Sequence, residues 1–256
     1  MSGAPALAGL GALRAGAGLV KVAVPGEIQS TVAGYRPELI TQGLPQTRGG
    51  ALGAGALPVL RTLVADWDAV VLGPGMGRAP STLSLVRTFT REVDLPLVLD
   101  ADALFAFRGD LARLKKRKAP TVLTPHEGEA ARLSETTSDD IRSDRPAAAG
   151  ALAEASNAVI VLKGPGTLVT DGARLYRNTT GGPVLATGGS GDVLSGVIAA
   201  LLASGLDALG AGCAGAYVHG LAADKVAGRR DRGLLASELA DGIPDALLAL
   251  RRRGSR

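Results

Sequence analysis

The chain has 256 residues, 28 Lys and Arg against 24 Asp and Glu, a net charge of +4 and 46% hydrophobic residues. That length suits one large α/β domain or two small ones, and it can bury roughly 70–75% of its unfolded surface without staples. The single cysteine, Cys213, excludes an internal disulfide, no apolar run reaches the roughly 20 residues needed to span a bilayer, and an aromatic content of 3% leaves few stacking platforms for single-stranded nucleic acid.

The basic residues are spread out, apart from Lys115-Lys116-Arg117-Lys118 and Arg251-Arg252-Arg253. Solvated faces and an anionic substrate explain that balance better than nucleic acid does. The N-terminus lacks the charged-then-apolar layout of a signal peptide, and Cys213, in a run of small residues, is expected to pack in the core. A reducing, cytoplasmic setting fits.

In chain order, short β-rich runs alternate with helical segments. Residues 19–24 end at Pro25, 69–72 at Gly73, 97–99 at Asp100, 121–124 at Pro125 and 159–162 at Lys163. Near-continuous apolar strands covered by helices predict a parallel sheet, whose carboxyl edge is where ligands bind. Residues 167–170 and 173–177, around Asp171-Gly172, predict a late antiparallel hairpin with a two-residue turn. Residues 136–143 are expected to form a loop or irregular helix start, and residues 251–256 a disordered tail.

Most of the chemistry-bearing motifs follow these strand ends. Gly73-Pro74-Gly75-Met76-Gly77 resembles a dinucleotide fingerprint only superficially, because its glycine spacing differs. It is either a tight turn or a backbone wall against a ligand. Asp100 and Asp102 end a strand; a metal, a hydroxyl or a helix cap would each suit them, and for Asp102 the cap is favoured. Thr124-Pro125-His126-Glu127-Gly128-Glu129 opens a helix, with both acids suited to its first turn. His126 either contacts a ligand or caps that helix. His219, in a small-residue helix, is expected to be a satisfied structural histidine, and the scattered His and Cys give no zinc spacing. Lys163-Gly164-Pro165-Gly166-Thr167 lacks Walker spacing but offers a cation, free amides and a hydroxyl to a phosphate.

The strongest signal is Ala186-Thr187-Gly188-Gly189-Ser190-Gly191-Asp192-Val193-Leu194. The apolar stripe Val193, Leu194, Val197, Ile198, Leu201 and Leu202 predicts a buried helix face. The glycine turn therefore sits at a helix N-terminus, where free amides and the positive dipole end suit phosphate. Glycine there permits close approach and positive φ. Gly189, Ser190 and Gly191 form a candidate anion hole. Asp192 is either a helix cap or the base for a hydroxyl beside the phosphate.

Together these motifs resemble the ribokinase-like superfamily and, within it, the ADP/ATP-dependent NAD(P)H-hydrate dehydratases. The resemblance runs from about Gly3 to Asp241. Beyond the motifs above it includes Gly3-Ala4, Leu13-Arg14-Ala15-Gly16-Ala17-Gly18-Leu19-Val20 and Asn178-Thr179-Thr180-Gly181-Gly182. It implies a single three-layer α/β domain over residues 1–256, with a mainly parallel central sheet, a late antiparallel hairpin and helices on both faces.

The resemblance also implies a hydro-lyase of nicotinamide nucleotide repair, with ADP or ATP as co-substrate and Mg2+. Ala4, Gly75, His126 and Asp192 would contact hydrated NADH or NADPH. Lys163, Gly164, Pro165, Gly166, Thr167 and Gly191 would hold the adenine nucleotide. Asp192 would be catalytic, and Glu129 would reach the metal through water, with no direct metal ligand assigned. Relatives usually begin upstream with a further strand and glycine-rich turn, so a central strand of the sheet is expected to be missing here. The companion epimerase domain fused in some relatives is likewise not expected. A small-molecule kinase for a vitamin-precursor alcohol, of hydroxymethylpyrimidine or thiazole type, is the alternative. An inactive adenine-nucleotide-binding protein is the third reading. Neither nucleic acid nor membrane is an expected partner, and a homo-oligomer is compatible with the Gly/Ala-rich faces.

Overall fold

The structure, a computed structural model, describes residues 1–254. The chain opens with α1 (Gly3–Arg14), β1 (Lys21–Pro25), α2 (Gln29–Ala33), β2 (Ile40–Leu44) and α3 (Leu57–Leu63). There follow β3 (Val70–Leu72), α4 (Pro80–Glu92), β4 (Leu97–Leu99), β5 (Thr121–Leu123), α5 (Glu127–Leu133), α6 (Ser138–Ser143) and α7 (Arg145–Ser156). The last part holds β6 (Val159–Leu162), β7 (Leu168–Thr170), β8 (Leu175–Arg177), α8 (Ser190–Ala203), α9 (Ala208–Ala227), α10 (Ala236–Asp241) and α11 (Ile243–Gly254).

The main sheet has the order β3-β4-β5-β6-β7-β8. Strands β3 to β6 are parallel, and β6, β7 and β8 are antiparallel. Alternation along the strands sorts the core. Leu97, Leu99, Leu123, Ile160 and Leu162 pack against α4, α5 and α7 on one face. Val98, Val122, Val159 and Val161 meet Leu194, Ile198 and Leu202 of α8 and Ala211 and Ala216 of α9 on the other. Leu97, Val98 and Leu99 are fully buried, each stabilising the fold by about 1.5–3 kcal/mol. This is the three-layer, ribokinase-like architecture expected. A third cluster, from α1, α8, α9, α10 and α11, adds helices outside α8.

Helix α1 lies directly on α8. A Cβ on Gly11 would run into Val193 O, and one on Gly196 into Ala8 O, so only glycine lets the two backbones approach this closely. The contact fixes the start of the chain against the helix that carries Asp192.

Four expectations need correction. Residues 19–24 do not enter the main sheet: β1 pairs in parallel with β2, Lys21 opposite Ile40, as a separate two-stranded sheet. The hairpin turn is longer than two residues, because Thr170 pairs with Leu175. Asp171 Oδ1 accepts from the amides of Ala173 (3.0 Å) and Arg174 (2.7 Å) and shapes that turn. Residues 138–143 form the regular helix α6, entered through a capping box between Thr137 and Asp140. Of the expected disordered tail, residues 251–254 continue α11 as helix, and Ser255 and Arg256 lie outside the described residues. Among the described residues no helix is long and apolar enough to cross a membrane.

Candidate active site

The functional motifs converge at the carboxyl edge of the parallel strands. Gly189 caps α8 with φ +90, and a Cβ there would lie 2.5 Å from Leu7 Cδ1. The left-handed backbone thus belongs to Gly189. Gly191, where the sequence also suggests it, has no positive φ; a Cβ on Gly191 would instead stand 3.2 Å from Lys163 Nζ. With no side chain at the cap, the amides of Gly191 and Asp192 meet no acceptor among the described residues. They are the free donors of a helix N-terminus. Ser190 is turned the other way: buried His219 bonds through Nε2 to Ser190 O (2.9 Å) and lies 3.3 Å from Ser190 Oγ. Burial pushes the His219 pKa down to about 4, so this neutral ring is structural, as its setting suggests.

Asp192 occupies the first turn of α8. Burial first, then the charge of Asp100, push its pKa up to about 7; Lys163 opposes them, and Glu129 and Asp102 add to the rise. Among the described residues its carboxylate has no hydrogen-bond partner. Asp100 is its opposite. It is 1% exposed, receives Lys163 Nζ at 2.8 Å and Ser195 Oγ at 2.6 Å. Burial alone would raise its pKa, but the Lys163 charge and hydrogen bonds from Lys163, Ser195 and Thr124 outweigh that and hold it low. Lys163 is half-buried; Asp100 and Glu129 overcome desolvation and raise its pKa. The ion pair is thus charged, and it sits under the glycine turn one helical turn from Asp192.

His126 resolves as the cap of α5. Its Nδ1 accepts from the amides of Gly128 (3.0 Å) and Glu129 (3.3 Å), and Glu129 Oε2 reaches back to His126 N at 2.9 Å. Such a capping box satisfies orphan amides reciprocally. An Nδ1 acceptor places the ring proton on Nε2, 3.5 Å from Glu129 Oε1, with the side chain 54% exposed. Burial lowers the His126 pKa, against the pull of Glu129. The neutral ring therefore presents an N–H at the site. Backbone pairing of His126 with Lys163, through Lys163 N to Pro125 O at 2.8 Å, ties this cap to the next strand end.

The 73–77 turn is tightly packed. Gly73 has φ +127, and a Cβ would collide with Asp100 O. A Cβ on Gly75, φ +68, would lie 3.3 Å from Ala4 Cβ, so the two predicted contacts adjoin. Asp102 is not a helix cap: its Oδ2 accepts from Gly77 N (2.9 Å) and its Oδ1 from Arg78 Nε (2.7 Å). The chain passes from Asp100 to Asp102 through Ala101 at φ +48, a strained conformation of the kind found at functional sites.

The 163–167 segment combines Gly164 (φ +145) and Gly166 (φ +58) with Thr167 Oγ1 donating to Gly164 O at 3.1 Å. Arg145, which sequence reasoning passed over, braces it from α7. It donates to Leu162 O at 3.2 Å and to Pro165 O, and it pairs with Glu127 at 3.4 Å. Lys163 directs its ammonium inward to Asp100, and its Nζ would stand 3.2 Å from a Cβ on Gly191. Asn178 Nδ2 bonds Thr180 O (3.0 Å) and Ala216 O (3.1 Å), holding the stretch after β8 on α9. Cys213 is half-buried against the core, as expected. Among the described residues no group of three His, Cys, Asp or Glu could hold a metal ion.

A mainly parallel sheet, an open glycine turn with free amides and a carboxylate at its carboxyl edge fit the ribokinase-like class of α/β enzymes. Within that class the assignment narrows. A family model described as NAD(P)H-hydrate dehydratase matches residues 1–245, and the chain belongs to that family. It is 44% identical over 250 residues to the bifunctional NAD(P)H-hydrate repair enzyme Nnr of Moorella thermoacetica, covering 96% of this chain and 47% of that protein. It is 38% identical over 259 residues to the ADP-dependent (S)-NAD(P)H-hydrate dehydratase of Neisseria meningitidis serogroup B, covering 99% and 82%. The ADP/ATP-dependent NAD(P)H-hydrate dehydratase of Bacillus subtilis, co-crystallized with ATP/Mg2+, superposes with a TM-score of 0.80 at 30% identity, over 97% of this chain and 85% of that one. The chain spans about half the length of the bifunctional relatives it matches.

Proposed function

We propose that this chain dehydrates hydrated NADH and NADPH back to the reduced dinucleotides, consuming ADP or ATP and releasing phosphate. The observation that carries this reading is the pairing of two free amides, Gly191 and Asp192, with a partnerless carboxylate whose pKa is about 7. A base poised near neutral pH beside an anion site is the equipment for activating a hydroxyl toward a phosphoryl group.

In this reading the nucleotide lies along residues 163–167, with Lys163, Gly164, Pro165, Gly166 and Thr167 beside it and its terminal phosphate at the free amides of Gly191 and Asp192, while the Ser190 amide is already engaged by Thr187 O. Lys163 acts from beneath the turn, its position set by Asp100. Ala4 and Gly75 line the substrate's side, and the Nε2–H of His126 orients it. Ionised Asp192 takes the proton of the 6-hydroxyl, whose oxygen attacks the terminal phosphorus as the bond to the nucleotide's bridging oxygen breaks. The ring nitrogen's lone pair then expels phosphate, and loss of a proton from the neighbouring carbon completes the double bond. Hydroxide leaves poorly and phosphate leaves well, so the nucleotide is required.

The donor set fits a magnesium ion carried by the nucleotide phosphates, since few protein carboxylates are needed there. Glu129, buried beside Lys163, would reach it through water, and the ion would offset phosphate charge. A cytoplasmic setting and self-association through exposed Leu19, Leu175 and Leu235 belong to the same proposal.

The test gives purified protein hydrated NADH or NADPH with magnesium and ADP or ATP, and follows recovery of the dihydronicotinamide absorbance alongside phosphate. Recovery that depends on nucleotide is expected. Recovery without nucleotide overturns the route. Phosphorylation of a hydroxymethylpyrimidine or thiazole alcohol without any recovery favours the kinase.

A further inference from the structure

The cluster Lys115-Lys116-Arg117-Lys118 has no part in the carboxyl-edge site. Helix α4 leads from the carboxyl end of β3 to the amino end of β4, and Lys116 and Arg117 stand just before β5. The C-terminal half of α4 and the turn Leu111–Lys116 therefore meet toward the opposite edge of the sheet. Between them lies a cleft of about 470 Å³ whose walls include Arg87, Arg91, Arg113, Lys116 and Arg117 and no carboxylate.

The cations are not equally free. Arg117 is spent on the fold, donating to Val93 O (2.7 Å), Leu95 O (2.8 Å), Thr121 Oγ1 (2.9 Å) and Thr90 O. Arg87 reaches Ala106 O at 3.3 Å, a neutral acceptor that leaves its charge uncompensated. Arg113 pairs with Asp110, and Arg91 stands 3.7 Å from Glu92, which Arg61 already holds by two bonds of 3.0 Å. Lys116 has no ion-pair partner among the described residues. The cleft thus keeps a positive excess on both walls.

A second observation is independent of charge. Thr90, on the same wall, is 2% exposed, and its Oγ1 has no hydrogen-bond partner. A helical threonine ordinarily returns its hydroxyl to a carbonyl in the preceding turn. A buried hydroxyl left unmatched costs stability and points to a group not supplied by the chain.

We propose that this cleft is a second anion site, taking a small molecule that bears two or more phosphates. Its volume falls in the usual range of small-molecule sites, about 300–1,000 Å³. Cations on two facing elements suit phosphates held apart on one molecule better than a single ion. Nucleic acid is the weaker match, because Phe107, the aromatic residue on the wall, is 1% exposed and offers no stacking face.

The experiment titrates inorganic tripolyphosphate into the full chain by calorimetry with the catalytic site held saturated by ADP. One binding event is expected to remain. It should weaken at least about tenfold when Lys116→Gln is combined with Arg91→Gln, through loss of charge-assisted contacts. Thr90→Val should weaken it roughly threefold while melting no lower than wild type, since an unmatched buried hydroxyl is removed. Dehydratase turnover should be unchanged in these variants. The proposal is overturned if ADP abolishes the binding, if the double variant binds as tightly as wild type, or if Thr90→Val raises the melting temperature without touching affinity. Tighter binding of a single-stranded oligonucleotide, with a steeper salt dependence, would also overturn it in favour of nucleic acid.

Discussion

Two glycine turns of the candidate site, residues 73–77 and 188–191, have opposite construction. In the first, Asp102 takes the Gly77 amide, Arg78 closes on the same carboxylate, and Gly73 is jammed against Asp100 O. In the second, a Cβ at Gly188 would meet nothing within 4 Å, and the amides of Gly191 and Asp192 are unspent. The same residue type therefore builds a closed turn in one place and an open turn with free amides in the other. What separates them is whether the amides are already satisfied. The carboxylates follow suit: Asp100 is paired and held low, Asp192 is partnerless and raised.

The sharpest way to break the comparison is to add one methyl to each turn. Gly73→Ala combines a backbone collision with a left-handed φ, so we expect a loss of roughly 2–5 kcal/mol in denaturant unfolding. Gly188→Ala should cost less than about 0.5 kcal/mol. Equal losses would show that the closed and open descriptions are wrong. Next in size, Asp192→Asn should lower turnover at least about a hundredfold, or about 2.7 kcal/mol, with little change in nucleotide affinity. Near wild-type turnover would remove Asp192 from the chemistry. Gly191→Val should weaken ADP and ATP binding about tenfold in calorimetry, because its side chain enters the space between the turn and Lys163. Unchanged affinity would contradict the anion assignment.

A further test is a pH dependence. The folded-state pKa of Asp192, about 7, lies above its unfolded value of 3.8. The folded protein therefore binds the extra proton between these values, and ionised Asp192 costs stability that is absent below pH 3.8 and complete above about pH 7. Asp192→Asn should gain stability relative to wild type as pH rises from 4 to 8. Turnover of the wild type should rise through pH 7 as the base ionises. A stability difference that stays flat across that range would place Asp192 in a more solvated setting.

How far the sequence carries can be judged from the same turns. The 188–191 turn and Asp192 were legible because an apolar stripe at helical spacing places them at a helix start. The five short strand ends were legible for a similar reason. Strand β2 was not: Ile40, Thr41, Gln42 and Gly43 are exposed or half-buried, so no apolar run marks it. Without β2, nothing in residues 19–24 indicates that β1 leaves the main sheet. Asp102 resembled a cap because the residues after it are apolar, whereas its partners, Gly77 and Arg78, are remote in sequence. The bond from the Lys163 ammonium to Asp100, 63 positions away, had no local sign in the sequence. Pairing across parallel strands is long-range information that spacing alone does not contain.

The central claim is that Asp192 and the open turn direct the substrate's own hydroxyl onto phosphorus. Oxygen-18 placed in the 6-hydroxyl of the hydrated dinucleotide tests it directly, in a single turnover with ADP or ATP. The account predicts that the label appears in the released phosphate, because the carbon–oxygen bond breaks after phosphoryl transfer. Label found in water, with unlabelled phosphate released, would contradict it.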